Sequence, residues 1–108
     1  MPDFAATLHR LEQVIAARKE ADPAASYVAQ LHTRGVPVIA RKLGEEAVET
    51  VVAALSDGDA EVVTESADLL FHLLVLLTAK EIPLDDVLAE LARREGLSGL
   101  EEKAGRSE

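Results

Sequence analysis

The chain has no cysteine, which excludes a disulfide framework and a thiolate metal site and leaves the redox compartment open. Cations are scarce as well. Eleven Lys and Arg stand against 20 Asp and Glu, for a formal net charge of −9, which disfavours DNA or RNA as a nonspecific partner. Any phosphate ligand must therefore be met by local groups. Aromatic residues are limited to one Tyr and two Phe, so the 48% hydrophobic content is almost wholly aliphatic. The longest apolar run, LLFHLLVLL from Leu69 to Leu77, is about half of the roughly 20 residues that a membrane span needs, and no membrane association is expected. The opening MPDFAATLHRLEQ is interrupted by acids before an apolar core develops, so it does not read as a signal peptide, and the cytoplasm is the default location. A P-loop, a Gly-rich dinucleotide turn and a Ser/His/Asp arrangement with usable spacing are also missing.

What is present reads as one small all-α domain over residues 1–108, a bundle of about five helices, without an internal repeat or a dividing linker. Asp3 can cap a first helix whose apolar residues Phe4, Leu8, Leu11, Val14 and Ile15 recur at spacings of three and four, fading by Glu20. Asp22-Pro23 marks a break. SYVAQLHTR then makes a short helix that Gly35 can end in a left-handed conformation. A third helix is expected from about Pro37 to Leu55, with Gly44 in its middle as a sign of close approach by another helix or a ligand. Ser56-Asp57-Gly58-Asp59 is a loop signal, with Asp59 as cap of a fourth helix that reaches about Lys80. Ile82-Pro83 interrupts, Leu84 to Glu95 forms a fifth helix ending at Gly96, and residues 98–108 are a polar tail with room for one helical turn.

The fourth helix is apolar on every face from Leu69 to Leu77 except at His72, and helices apolar all round are buried all round. A chain this short buries only about two-thirds of its unfolded surface. A symmetric homodimer built on this helix follows as the expected solution.

The chemistry lies in two acid clusters: Glu45, Glu46 and Glu49 in KLGEEAVET, and Glu65 and Asp68 in TESADLLFH. At 100° per residue Glu46 and Glu49 lie about 60° apart and Glu45 about 40° from Glu49, so one face carries all three. Glu65 and Asp68 repeat the three-residue spacing on the next helix. A short loop makes the third and fourth helices an antiparallel hairpin, and Glu49 and Glu65 stand about equally far from the loop, so the clusters are expected at one level. Four or five carboxylates there would repel and resist ionisation unless a cation were bound. All-oxygen ligation favours Mg²⁺, with Mn²⁺ as a substitute, and Mg²⁺ commonly recruits substrate phosphates. That points to phosphate chemistry in which an ion polarises a phosphoryl oxygen and activates water. Lys42, on the same side of its helix, can meet a phosphate oxygen; Arg41 and Arg34 are weaker candidates.

Glutamates at such spacings ordinarily form a solvated face supported by Lys or Arg. Here Glu49 has no basic residue three or four positions later, and Glu65 has no cation within a turn. His72 is more simply a hydrogen-bonded core histidine than a ligand, supporting the site from behind at most. A di-iron carboxylate bundle would need Glu-x-x-His pairs, which the chain lacks.

The pattern E-E-x-x-E followed after 15 residues by E-x-x-D resembles the signature of the all-helical nucleoside triphosphate pyrophosphatases of the MazG type. Within that superfamily SYVAQL, KLGEEAVETVVAA, ADLLFHLLVLL, DDVLAELARR and SGLEEKAGR resemble the phosphoribosyl-ATP pyrophosphatase family, over roughly Ser26 to Arg106. The resemblance implies Mg²⁺-dependent hydrolysis of 1-(5-phosphoribosyl)-ATP to 1-(5-phosphoribosyl)-AMP and pyrophosphate, the second step of histidine biosynthesis. It implies Glu46, Glu49, Glu65 and Asp68 as metal ligands, Glu45 as the residue that orients or deprotonates water, Lys42 on substrate phosphate, and a homodimer. The chain has no room for the cyclohydrolase domain that is often fused to this one, so the stand-alone form is expected. The other readings are a housekeeping nucleotide pyrophosphatase of the same superfamily and a noncatalytic helical dimerisation module.

Overall fold

Short loops between long amphipathic segments leave the chain little choice but to stack helices side by side. The computed structural model describes residues 3–56, 58–96 and 99–105, and no strand occurs among them. A single 3-10 turn at Phe4–Ala6 leads into α1 (Thr7–Arg18), followed by α2 (Tyr27–Arg34), α3 (Val36–Ser56), α4 (Asp59–Ala79), α5 (Leu84–Arg94) and α6 (Gly99–Gly105).

The helix ends follow local chemistry, in places differently from expectation. Asp3 does not cap with its carboxylate; its backbone carbonyl instead accepts from the Arg10 guanidinium at 3.0 Å. Ser26 does cap α2, its hydroxyl accepting from the Ala29 N–H at 3.2 Å. Gly35 has a positive φ of 94° but an extended ψ of 172°, so it is not in the left-handed helical region. The reason is that it serves two helices at once. Its N–H donates to Leu31 O, closing α2, and its carbonyl accepts from Ile39 N, opening α3, a combination that glycine tolerates readily. Asp59 is the first residue of α4 and not its cap; extended Gly58 occupies that position and accepts from Glu61 N and Val62 N. The expected Ser56–Asp59 loop includes Asp57, which lies outside the described residues. The polar tail is helical over Gly99–Gly105; residues 98 and 106–108 also lie outside the described residues.

α3 and α4 form the expected antiparallel hairpin, the most extensive helix pair in the molecule. The core gathers at the end of the hairpin remote from its loop, where Ile39 of α3 and Leu74 and Val75 of α4 meet Ile15, Val28, Leu31 and Leu84. α1 also secures the start of α5. The Glu12 carboxylate accepts from Leu84 N at 2.7 Å, and His9 Nε2 lies 2.7 Å from Asp85 Oδ1.

As expected of so short a chain, the other helices do not enclose α4 on every side. Its buried residues are His72, Leu74 and Val75. The loop half of the hairpin leaves Val48, Val51 and Val52 exposed, with Leu55 83% and Val63 68% accessible. The radius of gyration, 15.9 Å, exceeds the about 13 Å typical of a compact chain of this length. By length and composition alone α4 could cross a bilayer, but Glu65 and Asp68 lie within it, and carboxylates are costly in hydrocarbon.

Candidate metal centre

Glu46 and Glu49, one turn apart on α3, converge with Glu65 of α4 so that one carboxylate oxygen from each lies within 4.8 Å of the others. The level match comes from the two-residue step between the helices and is pinned by Thr50. Its Oγ1 lies 2.8 Å from Glu46 O, one turn back on α3, and 3.2 Å from Glu65 O on α4. Both carbonyls accept and the hydroxyl has one proton, so the bond is bifurcated, its shorter arm within α3 and its longer arm across the hairpin.

Glu46 resists ionisation. Burial pushes its pKa above the usual carboxylate range, reinforced by a hydrogen bond with Glu49 and then by the Glu49 charge, while His72 opposes the shift. Its Oε2 is buried with no hydrogen-bond partner among the described residues, and Glu65 Oε2 is also buried. A buried carboxylate oxygen without a donor is costly, and together with exposed Glu49 and half-buried Glu65 within a few ångströms Glu46 forms an all-oxygen donor set suited to a hard cation. The residues present therefore fit a divalent metal ion.

The other anticipated residues take different positions. Glu45 is not one of the three converging carboxylates: it lies 3.5 Å from Lys42 Nζ and 3.6 Å from Arg41 Nε. Asp68 stands outside the group of three oxygens, although its charge acts on Glu46. Arg34, at the end of α2, makes no ion pair or hydrogen bond among the described residues. Gly44 does not mark a close approach within the chain, since a Cβ built there meets nothing within 4 Å.

His72 is buried, 5% accessible, and bound at both nitrogens. Nδ1 lies 2.8 Å from Asp68 O, and Nε2 lies 2.8 Å from the hydroxyl of Tyr27. A carbonyl can only accept, so in the neutral ring Nδ1 carries the proton and Nε2 accepts from the phenol. Tyr27 was not legible as a site residue, because 45 positions separate it from His72. Burial raises its pKa, Lys42 pulls it down, and Glu46, Glu45 and Asp68 push it up. Thr50 was also missed; its position four residues after Glu46 was the available signal.

Comparison with known proteins extends this geometry. The profile of the family described as Phosphoribosyl-ATP pyrophosphohydrolase matches residues 8–95, most of the chain. That match takes in α1, beyond the N-terminal limit of the resemblance at Ser26. A protein named Phosphoribosyl-ATP pyrophosphatase from Erythrobacter litoralis is 64% identical over 102 residues, covering 94% of this chain and 98% of its own. Proteins of the same name from Rhizorhabdus wittichii and Novosphingobium aromaticivorans are 62% and 60% identical, each over 93% of this chain and 94% of its own.

Proposed function

The chain belongs to the phosphoribosyl-ATP pyrophosphohydrolase family, and from that premise we propose that it hydrolyses 1-(5-phosphoribosyl)-ATP to 1-(5-phosphoribosyl)-AMP and pyrophosphate in histidine biosynthesis. The observation that carries this reading is the convergence of Glu46, Glu49 and Glu65 across the α3–α4 hairpin, a donor set with no evident purpose in a metal-free protein.

Glu46, Glu49 and Glu65, joined by Asp68 from the next turn of α4, would hold Mg²⁺, with Mn²⁺ as a substitute. When bound, that ion neutralises phosphate charge and lowers the pKa of a water molecule. Glu45, beside the convergence and open to solvent, orients the water and takes its proton on a carboxylate oxygen. A bond forms between the water oxygen and phosphorus, the α–β phosphoanhydride bond breaks, and pyrophosphate leaves. Lys42 lies close enough to Glu45 to be handed from that carboxylate to a substrate phosphate. In a chain with net charge −9, such a local cation is needed to admit an anionic substrate.

The bare apolar face supports a homodimer in which a second copy covers Val48, Val51, Val52 and Leu55 of α3 and Val63 of α4. A single domain over residues 1–108 and a cytoplasmic location complete the reading. The test is pyrophosphate release with Mg²⁺ from phosphoribosyl-ATP, compared with ATP, dCTP and dUTP. Turnover of phosphoribosyl-ATP alone supports the assignment; turnover of the simple nucleotides instead makes the protein a general nucleotide pyrophosphatase; no turnover of any leaves a noncatalytic helical module.

A further inference from the structure

Two of the three aromatic side chains in this protein line one cleft. Tyr27 and Phe71 lie with ring planes 18° apart and centroids 6.3 Å apart, and beside them α1 and the chain before α2 enclose a space of about 460 Å³. That volume is in the range of small-molecule pockets. Leu11, Val14 and Ile15 supply its apolar wall, and its charged lining residue is Arg18, in the last turn of α1. Arg18 makes no ion pair or hydrogen bond among the described residues, although the chain carries 20 acids. Tyr27 joins the cleft to the acid site. Its hydroxyl is fixed 2.8 Å from His72 Nε2, and the other nitrogen of that imidazole is bound to the backbone of Asp68. Tyr27 is 45% accessible, so an aromatic side chain held by its hydroxyl lines the same cleft as the guanidinium of Arg18.

We propose that this cleft is the subsite for the phosphoribosyl-adenine end of the substrate, with the purine stacked on Tyr27 and the 5-phosphate of the second ribose on Arg18. The proposal rests on the activity given above, because phosphoribosyl-ATP differs from ATP by this ribose 5-phosphate on its adenine. The three regions occur in the order in which the substrate presents its parts: anhydride at the acids, base at the aromatic ring, distal phosphate at the guanidinium. Purines stack on aromatic faces without needing a specific edge contact, and a guanidinium matches a phosphate with two parallel N–H donors. Arg18 then becomes the residue that separates phosphoribosyl-ATP from ATP, since ATP has nothing to offer it.

The experiment is calorimetric titration of the full chain, without metal, using phosphoribosyl-AMP and AMP as probes, for wild type, Arg18→Gln and Arg18→Lys. Arg18 is exposed and unpaired among the described residues, so neither variant is expected to disturb folding. Arg18→Gln should weaken phosphoribosyl-AMP about tenfold or more and leave AMP unchanged, with Arg18→Lys between Gln and wild type. Equal weakening of both probes, no weakening of either, or failure of wild type to bind phosphoribosyl-AMP would overturn the proposal. The pyrophosphate-release assay on wild type separates the two claims: an inactive protein that still shows Arg18-dependent binding of phosphoribosyl-AMP would refute the hydrolysis reading and uphold the cleft.

Discussion

The Thr50 hydroxyl lies 3.2 Å from the carbonyl oxygen of Glu65, 15 residues away on the facing helix. This side-chain link crosses the hairpin at the level where the acids converge. Replacing it with valine, which has nearly the same shape and no donor, removes the link and little else. Thr50→Val should cost about 1 kcal/mol in urea unfolding, the usual worth of one such hydrogen bond. It should also weaken divalent-metal affinity, because the two acid-bearing backbones are no longer tied. A variant with unchanged metal affinity would show that helix packing alone sets the level.

Metal and proton compete for Glu46. Its folded pKa is raised by burial, the hydrogen bond with Glu49 and the Glu49 charge, so the folded metal-free protein binds a proton more readily than the unfolded chain. The contribution of Glu46 to stability of the metal-free protein should therefore be fully present below the ordinary carboxylate pKa and be lost as pH rises from there through the elevated folded value. Adding Mg²⁺ at neutral pH should restore it, and Glu46→Gln should both flatten the pH dependence and abolish the Mg²⁺ effect. Thermal unfolding between pH 4.5 and 8, with and without Mg²⁺, tests all three.

Tyr27→Phe keeps the ring in place and strips the donor from His72 Nε2, leaving a buried acceptor unmet. The expected loss is about 1–3 kcal/mol by chemical denaturation. Stability equal to wild type would mean that water replaces the phenol.

Val51→Glu places a charge in the exposed apolar face of α3. Sedimentation should give a dimer for wild type and half that mass for the variant at micromolar concentration. A wild-type monomer at that concentration would remove the proposed partner copy.

Gly44 sits inside α3 with open space where a Cβ would go. Gly44→Ala should stabilise the ligand-free protein by about 1 kcal/mol through helix propensity. A simultaneous rise in KM would assign the glycine to the approach of substrate, and destabilisation would reveal a neighbour at that surface.

All-helical architecture, the hairpin and the convergence of Glu46, Glu49 and Glu65 were legible in the sequence, because each follows from local rules. Apolar spacing sets helix type, a two-residue step leaves consecutive helices no option but to fold back, and equal distances from the loop bring Glu49 and Glu65 level. Glu45 shares the face of Glu49 by periodicity, and its pairing with Lys42 and Arg41, three and four residues back on the same helix, is local as well. Tertiary structure alone decided the contacts between distant segments. Tyr27 meets His72 across 45 residues, and Glu12 caps Leu84 across 72, because packing brings together segments whose separation along the chain carries no periodic signal. The same holds for α4: the sequence determined that it is apolar all round from Leu69 to Leu77 except at His72, and only the arrangement of the other helices decided which part of that stretch they cover.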